Sequence, residues 1–220
     1  ISSNTIIPFV FEKAKEIYPE GFNESSFIWY MLKENPDRYI YDSVKRGING
    51  KNNIFEVLPA EISEGIKDIS KRTEWNYKTP EKFALPTEIW RETLERYTRY
   101  FDIKNKIQNG EVKSINDFIT YNLDIKKFLQ DVIENSDDGK LIRAIYYTLA
   151  GKKPIKSNDK EIMPMSILDP TCGSGAFLFA ALNILEPLYE ACIDKMDEFI
   201  TDGAYLDFKQ VLEDIDSHIN

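Results

Sequence analysis

Met163-Pro164-Met165-Ser166-Ile167-Leu168, then Asp169-Pro170-Thr171-Cys172-Gly173-Ser174-Gly175, then Ala176-Phe177-Leu178-Phe179-Ala180-Ala181-Leu182: the reading of this stretch decides the fold. A short apolar run leads into a loop with two glycines, and a long apolar run of helical character follows. That order predicts strand, loop and helix, the opening unit of an α/β fold. Gly173 and Gly175 permit positive φ and let a ligand approach the backbone closely. Free amides at the helix start can face an anionic group such as a carboxylate. Asp169 stands at the carboxyl end of the expected strand, where open α/β sheets bind their ligands. It can accept from a ligand ammonium, directly or through water.

Three ligand classes compete for such a loop. A P-loop needs a lysine after its last glycine, and Ala176 stands there. A dinucleotide fingerprint needs a third glycine or alanine where Leu178 stands, and an acid about 20 residues on, at the end of a next strand. Residues near 195 read as helix instead. The remaining class is S-adenosyl-L-methionine, whose amino-acid end wants an acid and free amides together.

Outward from this stretch the chain reads as helices. Upstream, periodic apolar spacing predicts helices over Thr5–Tyr18, Glu24–Lys33, Pro36–Lys45, Glu88–Gln108, Ile115–Thr120, Ile125–Asn135 and Lys140–Ala150. Short turns fill Ile54–Pro86, and Gly151–Glu161 reads as a polar loop. Downstream, Pro187 interrupts the apolar helix, which must kink or restart there. A last acidic helix covers Asp207–His218. Met163–Leu168 is the one clear strand.

Of 220 residues, 42% are hydrophobic and 30% charged, ordinary for a globular chain with a core. No run approaches the ~18 uncharged apolar residues of a membrane span, so no membrane partner is expected. The first residues lack the basic start of a signal peptide and a Met, so the chain reads as cut from something longer. Cys172 and Cys192 are too few for a disulfide framework or a zinc site, and His218 is the single histidine. A reducing, cytoplasmic setting follows, with no metal site and no Ser-His-Asp triad. The net charge is −9, the wrong sign for a free-standing nucleic-acid binder. From Glu186 to the end, ten acids face only Lys195 and Lys209. They form a solvated helical face or one that meets a basic partner domain.

Ile167 to Leu178 resembles motif I of the N6-adenine DNA methyltransferases. The run on through Cys192 resembles one branch of them: the large fused type IIG restriction-modification methylases and the related BREX-type phage-defence methyltransferases. Ala84-Leu85-Pro86-Thr87-Glu88-Ile89-Trp90-Arg91 and Ile119-Thr120-Tyr121-Asn122-Leu123-Asp124-Ile125 are similar to the same branch. The resemblance covers the second half of the chain well and the first half weakly. It implies that Asp169, Pro170, Thr171, Cys172, Gly173, Ser174 and Gly175 hold the methionine part of S-adenosyl-L-methionine, with Phe177 near the pocket. It also implies a cofactor-lidding motif X, often Tyr-Thr-Pro, in whose place Tyr121-Asn122-Leu123 stands, differing at two of three positions.

The family's catalytic string, Asn-Pro-Pro-Tyr/Phe, does not occur in the sequence. Its asparagine and a prolyl carbonyl would accept from the adenine N6 amino group, and its aromatic ring would stack on a flipped base. Asn35-Pro36-Asp37-Arg38-Tyr39 lacks the second proline and reads as a turn into a helix. A nuclease metal site of the form Pro-Asp…Asp-x-Lys is imitated by Pro36-Asp37 with Asp102-Ile103-Lys104 or Asp124-Ile125-Lys126, on expected helices with long gaps. Trp29, Tyr30, Tyr39 and Tyr41 read as helical core rather than a base-stacking platform. The mixed charges of residues 71–113 read as i,i+4 pairs, with a DNA-backbone surface as the alternative.

The expected chain is therefore mainly α, containing the first strand–loop–helix of a Rossmann-like S-adenosylmethionine-dependent methyltransferase. Residues 1–113 are a helical N-terminal region and 114–220 an incomplete methyltransferase start. The parent would methylate adenine N6 in double-stranded DNA for restriction-modification or phage defence. This fragment would carry no catalytic residue and be inactive alone, with self-association through its unpaired strand a possibility. The rival readings are a helical DNA-positioning or interaction module without a ligand, and methylation of protein, RNA or a small molecule.

Overall fold

The structure, a computed structural model, describes residues 2–152 and 161–219, with side chains through residue 215. Residues 153–160 of the expected Gly151–Glu161 loop lie outside the described residues, as does the side chain of His218. Contacts divide the chain into two compact units. The first comprises Ile1–Met31, Lys113–Ile119 and Ile125–Asn220, and the second Leu32–Val112 with Thr120–Asp124. This grouping differs from a division at residue 113, because the N-terminal helix packs with the C-terminal half.

The first unit is built on α1 (Ser2–Ile17), α9 (Ile125–Asn135), α10 (Gly139–Ala150) and α11 (Ala176–Thr201), with α12 (Phe208–Ile219) against α11. Helix α1 packs on α9, α10 and α11, and α11 on α9 and α10. Each contributes an apolar stripe at helical spacing: Ile7, Val10, Phe11 and Ala14; Phe128, Leu129 and Val132; Ile142 and Ile145; Leu188, Cys192 and Met196. Phe128 sits at the centre, its ring centroid 4.4 Å from Phe118 and 6.2 Å from Trp29. Local caps fix the helix starts. Asp138 accepts from the amides of Lys140 and Leu141 ahead of α10. Ser114 and Asp117 cap each other's backbone at the start of α8 (Ile115–Tyr121).

Pro187 does not restart α11, which runs unbroken for 26 residues. A proline frees the carbonyl four residues earlier. That carbonyl, Asn183 O, accepts instead from Lys126 Nζ of α9 at 3.0 Å. By length and composition α11 could cross a membrane: an 18-residue window has mean hydropathy 1.4, with 28% of it buried in the protein. Its second half is a core helix of the first unit, and its first turns stand in solvent.

The second unit surrounds α7 (Trp90–Gln108) with the short helices α3 (Pro36–Tyr39), α4 (Asp42–Lys45), α5 (Ile54–Val57) and α6 (Ala60–Lys67). One expected helix over Pro36–Lys45 is thus two, broken at Ile40 and Tyr41. A polar hub holds the unit together. Arg96 donates through Nε and Nη2 to both Glu88 oxygens, through Nη1 to the carbonyls of Val44 and Arg46, and through Nη2 to that of Phe83. Both partners are nearly buried. The amide of Leu85 and Thr93 Oγ1 also donate to Glu88. Tyr97 OH donates to the Phe83 carbonyl, and burial pushes its pKa up to about 12.

The expected strand–loop–helix is corrected. Met163–Leu168 forms no strand, and no strand occurs among the described residues, which hold only two isolated bridges, Lys78 with Ile89 and Lys152 with Ile162. A strand exists only through a ladder partner, and no other extended segment pairs with this one. Pro164 lacks an N–H, and the Met165 amide donates to the Thr148 carbonyl at the end of α10. The described fold is all-helical.

Candidate functional site

The loop itself is well formed without a strand before it. The Thr171 amide donates to Asp169 Oδ1 at 3.0 Å, an Asx turn that folds the chain back at once. The Gly175 amide donates to the Cys172 carbonyl at 2.7 Å, closing a tight turn over residues 172–175. Gly173 and Gly175 have φ of +51° and +76°, a backbone region that disfavours side chains. A Cβ on Gly173 would meet only the Thr171 carbonyl at 3.6 Å, so conformation rather than crowding asks for glycine there.

Gly175 is the N-cap of α11 and has no side chain to cap it. The first intrahelical bond runs from the Phe179 amide to the Gly175 carbonyl, so the helix presents first-turn amides free of any side-chain cap. Asp169 Oδ2 is buried and has no hydrogen-bond partner. An acceptor in that state is a feature to be explained. Around it Pro170, Thr171, Cys172, Gly173 and Ser174 are exposed, as is Phe177 at the helix start.

Tyr121 and Asn122 belong to the second unit, while Asp169–Gly175 belongs to the first. Asn122, at φ 54°, ends α8 in the left-handed region that asparagine tolerates. Lys106 Nζ lies 5.1 Å from the Tyr121 ring centroid, and Leu123 is buried. No protein-family model, curated protein or solved structure matches this chain.

Of the imitated nuclease residues, Asp37 and Lys104 pair with each other, and Asp102 and Lys126 have other partners. Lys104 Nζ donates to Asp37 at 2.7 Å, and Tyr100 OH also donates to Asp37. Burial first, and Asp37 second, push Tyr100 up to about 12. Asp102 pairs with Lys106, and Lys126 caps the Asn183 carbonyl. Among the described residues no three His, Cys, Asp or Glu side chains converge to hold a metal ion. Of the aromatics, Trp29 and Tyr39 are buried, whereas Tyr30 is 61% exposed and Tyr41 36%. A groove of about 340 Å³ lies between α9 and α11, lined by acids including Glu134, Glu190 and Asp194, and the glycine loop takes no part in it.

Sequence reasoning missed the apolar side chains left in solvent around the loop: Met163, Leu168, Phe179 and Leu182. Their signal was present, since Asp169 is the one charge between Ile162 and Leu185.

Proposed function

We propose that the loop Asp169–Gly175 holds the methionine end of S-adenosyl-L-methionine, as part of a DNA adenine-N6 methyltransferase of a restriction-modification or phage-defence system. The observation that carries this reading is the buried, unpartnered Asp169 Oδ2 in the loop that leads into an uncapped helix start. The residues fit the group. Asp169 accepts from the cofactor ammonium, and the first-turn amides of α11 donate to its carboxylate. Gly173 and Gly175 keep the approach open, and Phe177 offers an apolar flank. Bound, the cofactor supplies an electrophilic methyl group on its sulfonium. The methyl acceptor, read as double-stranded DNA from the family resemblance, needs an Asn-Pro-Pro-Tyr/Phe string that these 220 residues lack. The chain's own share is therefore cofactor binding, in a cytoplasmic setting.

Calorimetric titration of S-adenosyl-L-methionine into the chain tests this. Saturable binding is expected, weakened about tenfold or more in Asp169→Ala, the scale of a hydrogen bond to a charged group. No binding by the unaltered chain overturns the reading. A second reading, a helical interaction module without a ligand, draws on the exposure of residues 170–174. DNA binding that falls with salt, with no cofactor binding, favours it.

A further inference from the structure

Two apolar stretches flank the loop and stand in solvent. Before it, Met163 is 74% exposed and Leu168 88%, with Ile167 beside them; after it come Phe177, Leu178, Phe179 at 66% and Leu182. Their spacing puts Leu178, Phe179 and Leu182 on one side of α11. At about 200 Å² for a large apolar side chain, the exposed parts amount to roughly 800 Å². That is about what each partner contributes to a stable interface. Part of the backbone there is also unpaired: the Met165 amide donates to the Thr148 carbonyl, but those of Ser166 and Leu168 have no backbone partner among the described residues.

We infer that a second copy of this chain covers this face, the two copies meeting about a two-fold axis. A two-fold brings identical surfaces together, so apolar side chains meet apolar side chains. Charge points to the same place. Two chains of net charge −9 repel, and residues 162–185, with Asp169 as their one charge, let them touch without like-charge contacts. Phe177 is shared with the cofactor reading, but the test is independent of it, because Leu168 and Phe179 are not among the proposed cofactor contacts.

Sedimentation velocity of the chain from micromolar to hundreds of micromolar tests it. A monomer–dimer equilibrium is expected. Phe179→Glu and Leu168→Glu should each raise its dissociation constant at least about tenfold, with the helical circular dichroism unchanged because both side chains are exposed. Phe9→Glu, at an exposed apolar position on α1, should leave it unaltered. A monomer throughout that range overturns the inference. So does a dimer indifferent to both loop-flanking variants, or open-ended growth into larger species, the mark of a contact that does not close.

Discussion

The two units use charge in opposite ways. The second holds fifteen basic and fifteen acidic residues and is neutral, so the whole net charge of −9 resides in the first. In the second, ion pairs are internal structure: Arg96 with Glu88 and Lys104 with Asp37 tie short helices and turns to α7. In the first, apolar stripes on four long helices do that work, and pairs such as Lys113 with Glu24 and Lys13 with Glu16 are exposed. Short elements bury too little apolar surface to hold themselves, so a buried guanidinium that satisfies several carbonyls takes over. Long helices need no such device, and at the free end of α11 the apolar stripe runs on past its neighbours.

The largest effect should come from Arg96→Ala. It leaves the nearly buried Glu88 without its counter-charge and takes the donor from the Val44 and Arg46 carbonyls, and urea unfolding should show a loss of about 3 kcal/mol. Lys113→Ala in the first unit should stay within about 0.5 kcal/mol. Equal losses would break the contrast between the units.

Acid gives a second, smaller handle. Burial pushes the Glu88 carboxyl up, but the Arg96 guanidinium and the donors from Leu85 and Thr93 outweigh it, so its pKa lies below the ordinary 4.5. A lowered folded pKa contributes stability above the unfolded value and loses it as pH falls through the folded one. Amide protection factors in the second unit, corrected for intrinsic exchange, should therefore fall below about pH 4.5, and Glu88→Gln should flatten that dependence. The smallest effect sharpens the first unit's side. Lys126→Met keeps the stem and removes the donor to Asn183 O, and thermal unfolding should register a loss of about 1 kcal/mol.

Much of the helical plan was legible because its signals are local. Ile125–Asn135 has the bounds that its periodicity predicts, and Asp138 caps α10 within three residues. The start of α7 was less so. Periodicity points to Glu88, yet the helix begins at Trp90, because the Glu88 carbonyl accepts from the Thr79 amide and its side chain serves Arg96. Of the candidate site, the turns of Asp169–Gly175 follow from residue types, and the strand before them did not form. The apolar run at 163–168 carries strand propensity, but a strand is a pairing, and pairing is not written in one segment.

What the sequence by itself determined are features closed over a few residues: helix periods, caps, the Asx turn at Asp169 and the positive φ of Gly173 and Gly175. Side chain and backbone there lie within reach whatever the rest of the chain does. Only the tertiary structure decided that Arg96 reaches the Val44 carbonyl 52 residues away, that Lys126 repairs the carbonyl freed by Pro187, and that Leu168 and Phe179 stay in solvent. Each depends on which distant segment arrives alongside, and burial is a property of that arrangement rather than of the residue.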